Sequence, residues 1–189
     1  SMPGGGGEAG DAVRAYGRTF DAHRVDFARP EEVIAFGERI ANADRPVDIL
    51  VNNAGTIVRY PTVDHPFDEW QRVIDINLTS QFVLTQAIGR RMLDRGTGKV
   101  IFTTSLRVFQ GGTGVASYTA SKSALAGIVR TLSNEWAEHG VSVNAIAPGY
   151  IETENTRAMR DDAPTYESVR QRIPVGRWGQ PDDLVGALV

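Results

Sequence analysis

The chain contains no cysteine, so it has neither a disulfide framework nor a thiolate to serve as nucleophile, redox centre or metal ligand. Lysine is almost as scarce: Lys99 and Lys122 are the only two. Basic residues are not in excess, since 20 Lys and Arg stand against 23 Asp and Glu, and a net charge of -3 offers no basic face to nucleic acid. No apolar run approaches the roughly 18 residues that cross a bilayer, so no membrane partner is expected. No secretory pattern stands at the start, which leaves the cytoplasm as the expected location. The histidines, His23, His65 and His139, lie far apart without ligand spacing, and no metal is expected.

What remains is the composition of a globular protein. With 189 residues, 41% of them hydrophobic, the chain can bury one sizeable core and reads as a single domain over 1–189. Helix and strand patterns alternate, the signature of an α/β fold with a parallel sheet and crossover helices. Residues 11–16 read as a helix stopped by Gly17, and residues 19–26 as a short strand. A helix is expected from Pro30, which suits a first helical position, and a buried strand over residues 48–51, ending in Asn52-Asn53-Ala54-Gly55. Apolar residues recur at helical spacing over 67–93, residues 99–105 read as a β-branched strand, and 118–139 as a long helix closed by Gly140. Residues 141–147 are strand-like until Pro148-Gly149. From Tyr150 onward the chain is polar and interrupted by Pro164, Pro174 and Pro181, and it reads as irregular.

Parallel sheets gather their chemistry beyond the carboxyl ends of the strands. Ser105 stands at such an end. Tyr118 and Lys122 open the long helix four residues apart, a spacing that puts phenol and ammonium on one face. Tyrosine has an ordinary pKa of about 10, too high for proton transfer near neutrality, and a neighbouring cation can lower it by about 1–3 units. A Tyr/Lys pair alone is equally a surface pair supporting a helix; its companions give it weight. Ser105 lies thirteen residues before Tyr118, Asn77 lies in the preceding helix, and Pro148-Gly149 with Thr153 follows the next strand.

Together these residues resemble the short-chain dehydrogenase/reductase family over residues 26–183. The resemblance implies a Rossmann-like doubly wound sheet and the tetrad Asn77, Ser105, Tyr118 and Lys122. In it Tyr118 exchanges a proton with a substrate carbonyl or hydroxyl oxygen while hydride passes to or from a nicotinamide, and Ser105 hydrogen-bonds the same oxygen. Lys122 would hold the nicotinamide ribose and assist Tyr118, and Asn77 would anchor a water relaying protons from Lys122, helped by a local break in its helix. The resemblance also implies cofactor contacts from Asp26 (adenine), from Asn52, Ala54 and Gly55 (adenine ribose), from Pro148 and Gly149, and from Ile151 and Thr153 (carboxamide). The cofactor is expected to be NAD, with NADP as the alternative.

Segments such as Phe109-Gln-Gly-Gly112 and 172–179 resemble the branch of this family acting on keto-deoxy sugar acids, which implies a carboxylate-bearing substrate. Arg107, Gln110, Tyr150 and Asn155 would line its pocket within a substrate-loop region at 148–183; Arg107 could equally be a solvated loop residue. Two rival readings are a non-catalytic scaffold of the same fold and a reductase of ketoacyl thioesters or simple alcohols. The family pairs the helices bearing Asn77 and Tyr118 across subunits, so a homo-oligomer, dimer or homotetramer, is expected.

One motif conflicts with this reading. Gly5-x-Gly7-x-x-Gly10 satisfies the generic pattern of a phosphate-binding turn, but no strand pattern precedes it, and only twenty-five residues stand before Asp26. The expectation is that the family's first βαβ unit and its last strand are missing from this sequence. Ser1-Met2 then reads as a cloning remnant, and residues 3–7 as the edge of a gap.

Overall fold

The strands find one another through their apolar runs. In the computed structural model, which describes residues 6–188, β1 (Ile49–Asn52), β2 (Gly98–Thr103) and β3 (Val141–Ile146) form a parallel sheet in the order β1-β2-β3. Val51 is opposite Ile101, and Ile101 is opposite Asn144. Side chains alternate across the sheet. Leu50, Val100, Phe102, Val141 and Val143 face a single core, while Ile49 and Val51 on the other face are 54% and 45% exposed.

Helices cover the buried face. In chain order they are α1 (Gly7–Ala15), α2 (Pro30–Ala41), α3 (Phe67–Ile74), α4 (Ser80–Arg95), α5 (Arg107–Gln110), α6 (Ala116–Trp136), α7 (Arg157–Arg160) and α8 (Ala163–Arg170). α2 packs on α4, and α6 on β3, with Val33, Leu84, Ile88, Met92, Leu125 and Trp136 completing the core. Trp136 fits because residue 89 is glycine: a Cβ there would stand 2.3 Å from the indole. After α6, Gly140 turns the chain into β3 at φ +77, a left-handed conformation in which a Cβ would also meet the Gly96 carbonyl at 2.2 Å.

Most sequence expectations correspond to an element, and two need correction. Residues 19–26 form no strand; a strand exists only by pairing, and this segment bonds to no strand among the described residues. The helical stretch over 67–93 does contain the local break that the resemblance implies at Asn77: a π-helical turn, Asp75–Thr79, between α3 and α4. The tail after Tyr150 is not irregular. It carries α7, α8 and a 3-10 segment, Pro181–Ala187. Pro164 does not interrupt there, because it occupies the first turn of α8, where its missing N–H costs nothing, and Asp162 caps that helix by accepting from the Thr165 amide at 2.9 Å.

Trp178 fastens this tail. Its indole is 1% exposed, stacked on Tyr166 and edge-on to Tyr150, each with centroids 5.5 Å apart. Of the glycine run, residues 3–5 lie outside the described residues, whereas Gly7 and Gly10 lie within α1. No strand precedes α1 among the described residues, and none of the helices is long and apolar enough to cross a membrane.

Candidate active site

Beyond the carboxyl ends of β1, β2 and β3 lies a cleft of about 600 Å³. The loop after β1 gives it Asn53, Ala54 and Gly55; the end of β2 gives Thr103, Thr104 and Ser105; α6 gives Tyr118 and Lys122; the chain after β3 gives Pro148, Gly149, Ile151, Thr153 and Asn155. Nine residues of the expected catalytic and cofactor sets therefore meet in one place, as sheet topology requires of residues that follow parallel strands.

The helical spacing of Tyr118 and Lys122 does bring the two together: Nζ of Lys122 lies 5.9 Å from the centre of the Tyr118 ring. Lys122 is 3% exposed and donates to the Thr103 carbonyl at 2.6 Å. Burial pushes its ammonium down to about 8, because the charged form loses hydration. No carboxylate among the described residues pairs with it. The hydroxyl of Tyr118 bonds to none of the described residues, and Ser105, 7% exposed, accepts from the Arg107 amide at 3.2 Å.

Asn77 sits in the π-helical turn, fully buried. Its carboxamide pairs with the backbone of Thr56, accepting from N at 2.8 Å and donating to O at 2.9 Å, and donates also to Ser121 Oγ at 3.1 Å. It thus ties the Gly55–Thr56 loop to α6 at the residue before Lys122. A Cβ on Gly55 would stand 3.5 Å from both Asn77 Oδ1 and Lys122 Nζ, so the bare face of that glycine opens between them.

Two expected cofactor residues lie elsewhere. Asn52 shares a strand face with Leu50, and period-two alternation turns it into the core, where it is 3% exposed and donates to Thr85 Oγ1 at 2.8 Å. Asp26 is exposed outside the cleft and accepts from the Ala28 amide at 2.9 Å, closing a turn before α2. The expected substrate residues also divide. Asn155 lines the cleft, Gln110 is exposed at the end of α5 and lines neither cleft, and Arg107 and Tyr150 wall a neighbouring cleft of about 430 Å³ with Arg172, Ser168 and Thr113. Sequence reasoning missed Arg172, Ser168 and Thr113, and also Thr103 and Ser121, which hold Lys122 and Asn77. The cap signal Asp162-x-x-Thr165 could have revealed α8, and with it Ser168 and Arg172.

Several features suit a nicotinamide dinucleotide. A buried ammonium with a single protein acceptor, an unbonded tyrosine hydroxyl and the bare face of Gly55 fit its nicotinamide-ribose half. Among the described residues no group of three histidines, cysteines or carboxylates could hold a metal ion.

Comparison with known proteins places these features in a family. The sequence model of the family described as short chain dehydrogenase matches residues 6–164. A 2-dehydro-3-deoxy-D-gluconate 5-dehydrogenase of Pseudoalteromonas atlantica is 51% identical over 185 residues, 97% of this chain and 72% of that protein. A Beutenbergia cavernae structure, described as a candidate NAD(P)-dependent gluconate 5-dehydrogenase with bound NADP at low occupancy, superposes with a TM-score of 0.92 at 42% identity, covering 96% of this chain and 72% of that one. The gluconate 5-dehydrogenase of Burkholderia cenocepacia J2315, solved with NADP and tartrate, gives a TM-score of 0.88 at 36% identity, with 94% and 70% covered.

Proposed function

Because the chain belongs to the short chain dehydrogenase family, we propose that it interconverts a secondary alcohol and a ketone on a sugar acid, with Tyr118 as the acid/base. The observation that carries this reading is the meeting of Ser105, Tyr118 and Lys122 on one cleft, with the tyrosine hydroxyl unbonded and the ammonium beside its ring. A nicotinamide dinucleotide bound there supplies or accepts the hydride.

The chain's own residues do the rest. Tyr118 gives its phenolic proton to the carbonyl oxygen in reduction, or takes the hydroxyl proton in oxidation. Ser105 donates to the same oxygen, where negative charge develops. Lys122 would hold the nicotinamide ribose by its remaining N–H groups, and it presents its charge to the tyrosine that must lose a proton. Asn77 keeps the Gly55–Thr56 loop fixed to α6, and a proton relay from Lys122 through a water at the π-helical turn belongs to the proposal. Ala54, Gly55, Pro148, Gly149, Ile151 and Thr153 would line the cofactor's path.

The substrate class comes from the relatives, whose names are gluconate and 2-dehydro-3-deoxy-D-gluconate 5-dehydrogenases. The substrate-loop region is assigned to 148–183, with Asn155 in the main cleft and Arg107 and Tyr150 beside it. The sequence reading leans to NAD, while the two solved relatives carry NADP. A groove of about 390 Å³ between α4 and α6 is lined by Phe82, Leu132 and Trp136 with Thr85, Gln86, Thr131 and Glu135, and a homo-oligomer formed through these helices belongs to the proposal.

The test is turnover of D-gluconate and 2-dehydro-3-deoxy-D-gluconate, followed by nicotinamide absorbance with NAD and NADP in parallel. Turnover with one of them supports the reading. Cofactor binding without turnover of any sugar acid, ketoacyl thioester or simple alcohol would leave a scaffold.

A further inference from the structure

We propose that the cleft beside the Tyr118 site is a carboxylate subsite, and that Arg172 supplies its second cation together with Arg107. The inference rests on the sugar-acid reading above and names the residues that would make such a substrate's charge matter.

The two clefts adjoin through chain neighbours. Ser105 lines one and Arg107 the other, and Gly149 and Ile151 flank Tyr150 in the same way. Two residues of backbone span at most about 7 Å, so the two clefts share a wall, and the proposal seats the carbinol at Tyr118 and the carboxylate across that wall. The second cleft is lined by two guanidinium groups, the hydroxyls of Thr113, Tyr150, Thr165 and Ser168, the apolar side chains of Met159, Pro164 and Val169, and no acidic side chain. Its charge balance therefore selects an anion, and its hydroxyls suit a polyhydroxy one.

Neither arginine is spent on a protein carboxylate. Elsewhere in the tail Arg157 pairs with Glu154, Arg170 with Glu167, and Arg177 with Asp183, whereas Arg107 and Arg172 pair with none among the described residues. Arg107 is half-buried and Arg172 exposed, and both are held at the cleft wall. Arg107 donates to the Gly111 carbonyl at 2.8 Å and to the Tyr150 hydroxyl at 3.2 Å, with its guanidinium 5.6 Å from the centre of the Tyr150 ring. Arg172 donates from Nε to the Ser168 carbonyl at 3.1 Å, which fixes its stem and leaves both terminal nitrogens for a ligand. A planar fork held this way matches a carboxylate through two parallel N–H bonds.

The test compares D-gluconate with D-glucitol, which keeps the hydroxyls and replaces the carboxylate by a neutral CH2OH. Equilibrium binding by calorimetry and steady-state kinetics are measured for the wild type, Arg172→Met and Arg172→Lys. The expected result is tighter binding of gluconate than of glucitol by the wild type. Arg172→Met should then lose about 10–100-fold in gluconate affinity and raise KM in parallel, with kcat changed little, as for the loss of a charge-assisted pair. Glucitol affinity should move less than twofold, and Arg172→Lys should recover part of the loss. Equal weakening of both ligands, no change in either, or no preference for gluconate in the wild type overturns the subsite. Gluconate binding that depends on Arg172, with turnover of neither D-gluconate nor 2-dehydro-3-deoxy-D-gluconate, overturns the proposed reaction instead and leaves the subsite standing.

Discussion

On the strand-end side of the site, Asn77, Lys122 and Ser105 are between 0% and 7% exposed and are held by the sheet, α6 and the π-helical turn. On the tail side, Thr153 and Asn155 are exposed, and the segment that carries them is fastened by Trp178 and by surface ion pairs such as Arg177 with Asp183. The first side ties the proposed reacting groups to the core, so their positions cannot change without cost to the fold. The second can be loosened or re-cut with the core intact, as would befit the substrate wall proposed for it.

Substitutions that separate the two sides should differ in kind. Ser105→Ala should lower kcat by about 10²–10³-fold, as for other lost oxyanion donors, while loss of the bond from the Arg107 amide costs only about 1 kcal/mol of stability. A loss below tenfold would remove Ser105 from the chemistry.

Trp178→Ala should cost about 3 kcal/mol, as for other buried tryptophans, and the cost should fall on the tail. Hydrogen exchange should accelerate over residues 150–179 while the amides of β1, β2 and β3 stay protected. Equal acceleration in the strands would show that the tail and the sheet are one cooperative unit.

Lys122→Met should destroy activity yet stabilise the protein. Because the folded value is about 8 and the ordinary one 10.5, the unfolded chain binds more protons between them, and stability rises with pH across that window. The penalty is full below pH 8 and gone above pH 10.5. At neutral pH it amounts to roughly 3 kcal/mol; less the ~1 kcal/mol of the bond to the Thr103 carbonyl, the variant should gain about 2 kcal/mol. Denaturant titrations of both proteins at pH 7 and near pH 10.5 would show a gain that shrinks with pH. A gain independent of pH would assign the effect to packing.

The smallest effect is expected of Asp183→Asn, whose carboxylate takes the Arg177 guanidinium and the Gln180 amide at the surface. The melting temperature should not move, and exchange of the Gln180 amide should quicken.

What the sequence reveals of this site follows the same division. Ser105, Tyr118, Lys122 and the Ala54-Gly55 loop are legible because each is fixed by a local rule, either the end of a strand or a spacing of four on a helix. Asn52 misleads for an equally local reason: it continues the alternation of Leu50 and so belongs to the core. Residues 19–26 carry a strand-like pattern but find no partner to pair with, and pairing is not written in the segment itself. Arg172 and Ser168 stay hidden because the prolines of the tail suggest breaks, while the aromatic contacts of Trp178 with Tyr150 and Tyr166 that order the segment join residues 12 to 28 apart.

The most direct test of the account is the kinetics of Tyr118→Phe on a sugar acid, with nicotinamide binding measured on the same preparation. The account predicts a fall in kcat of about 10²–10⁴-fold, the range of a lost general acid/base, with cofactor affinity kept within about twofold. A kcat within tenfold of the wild type would contradict it.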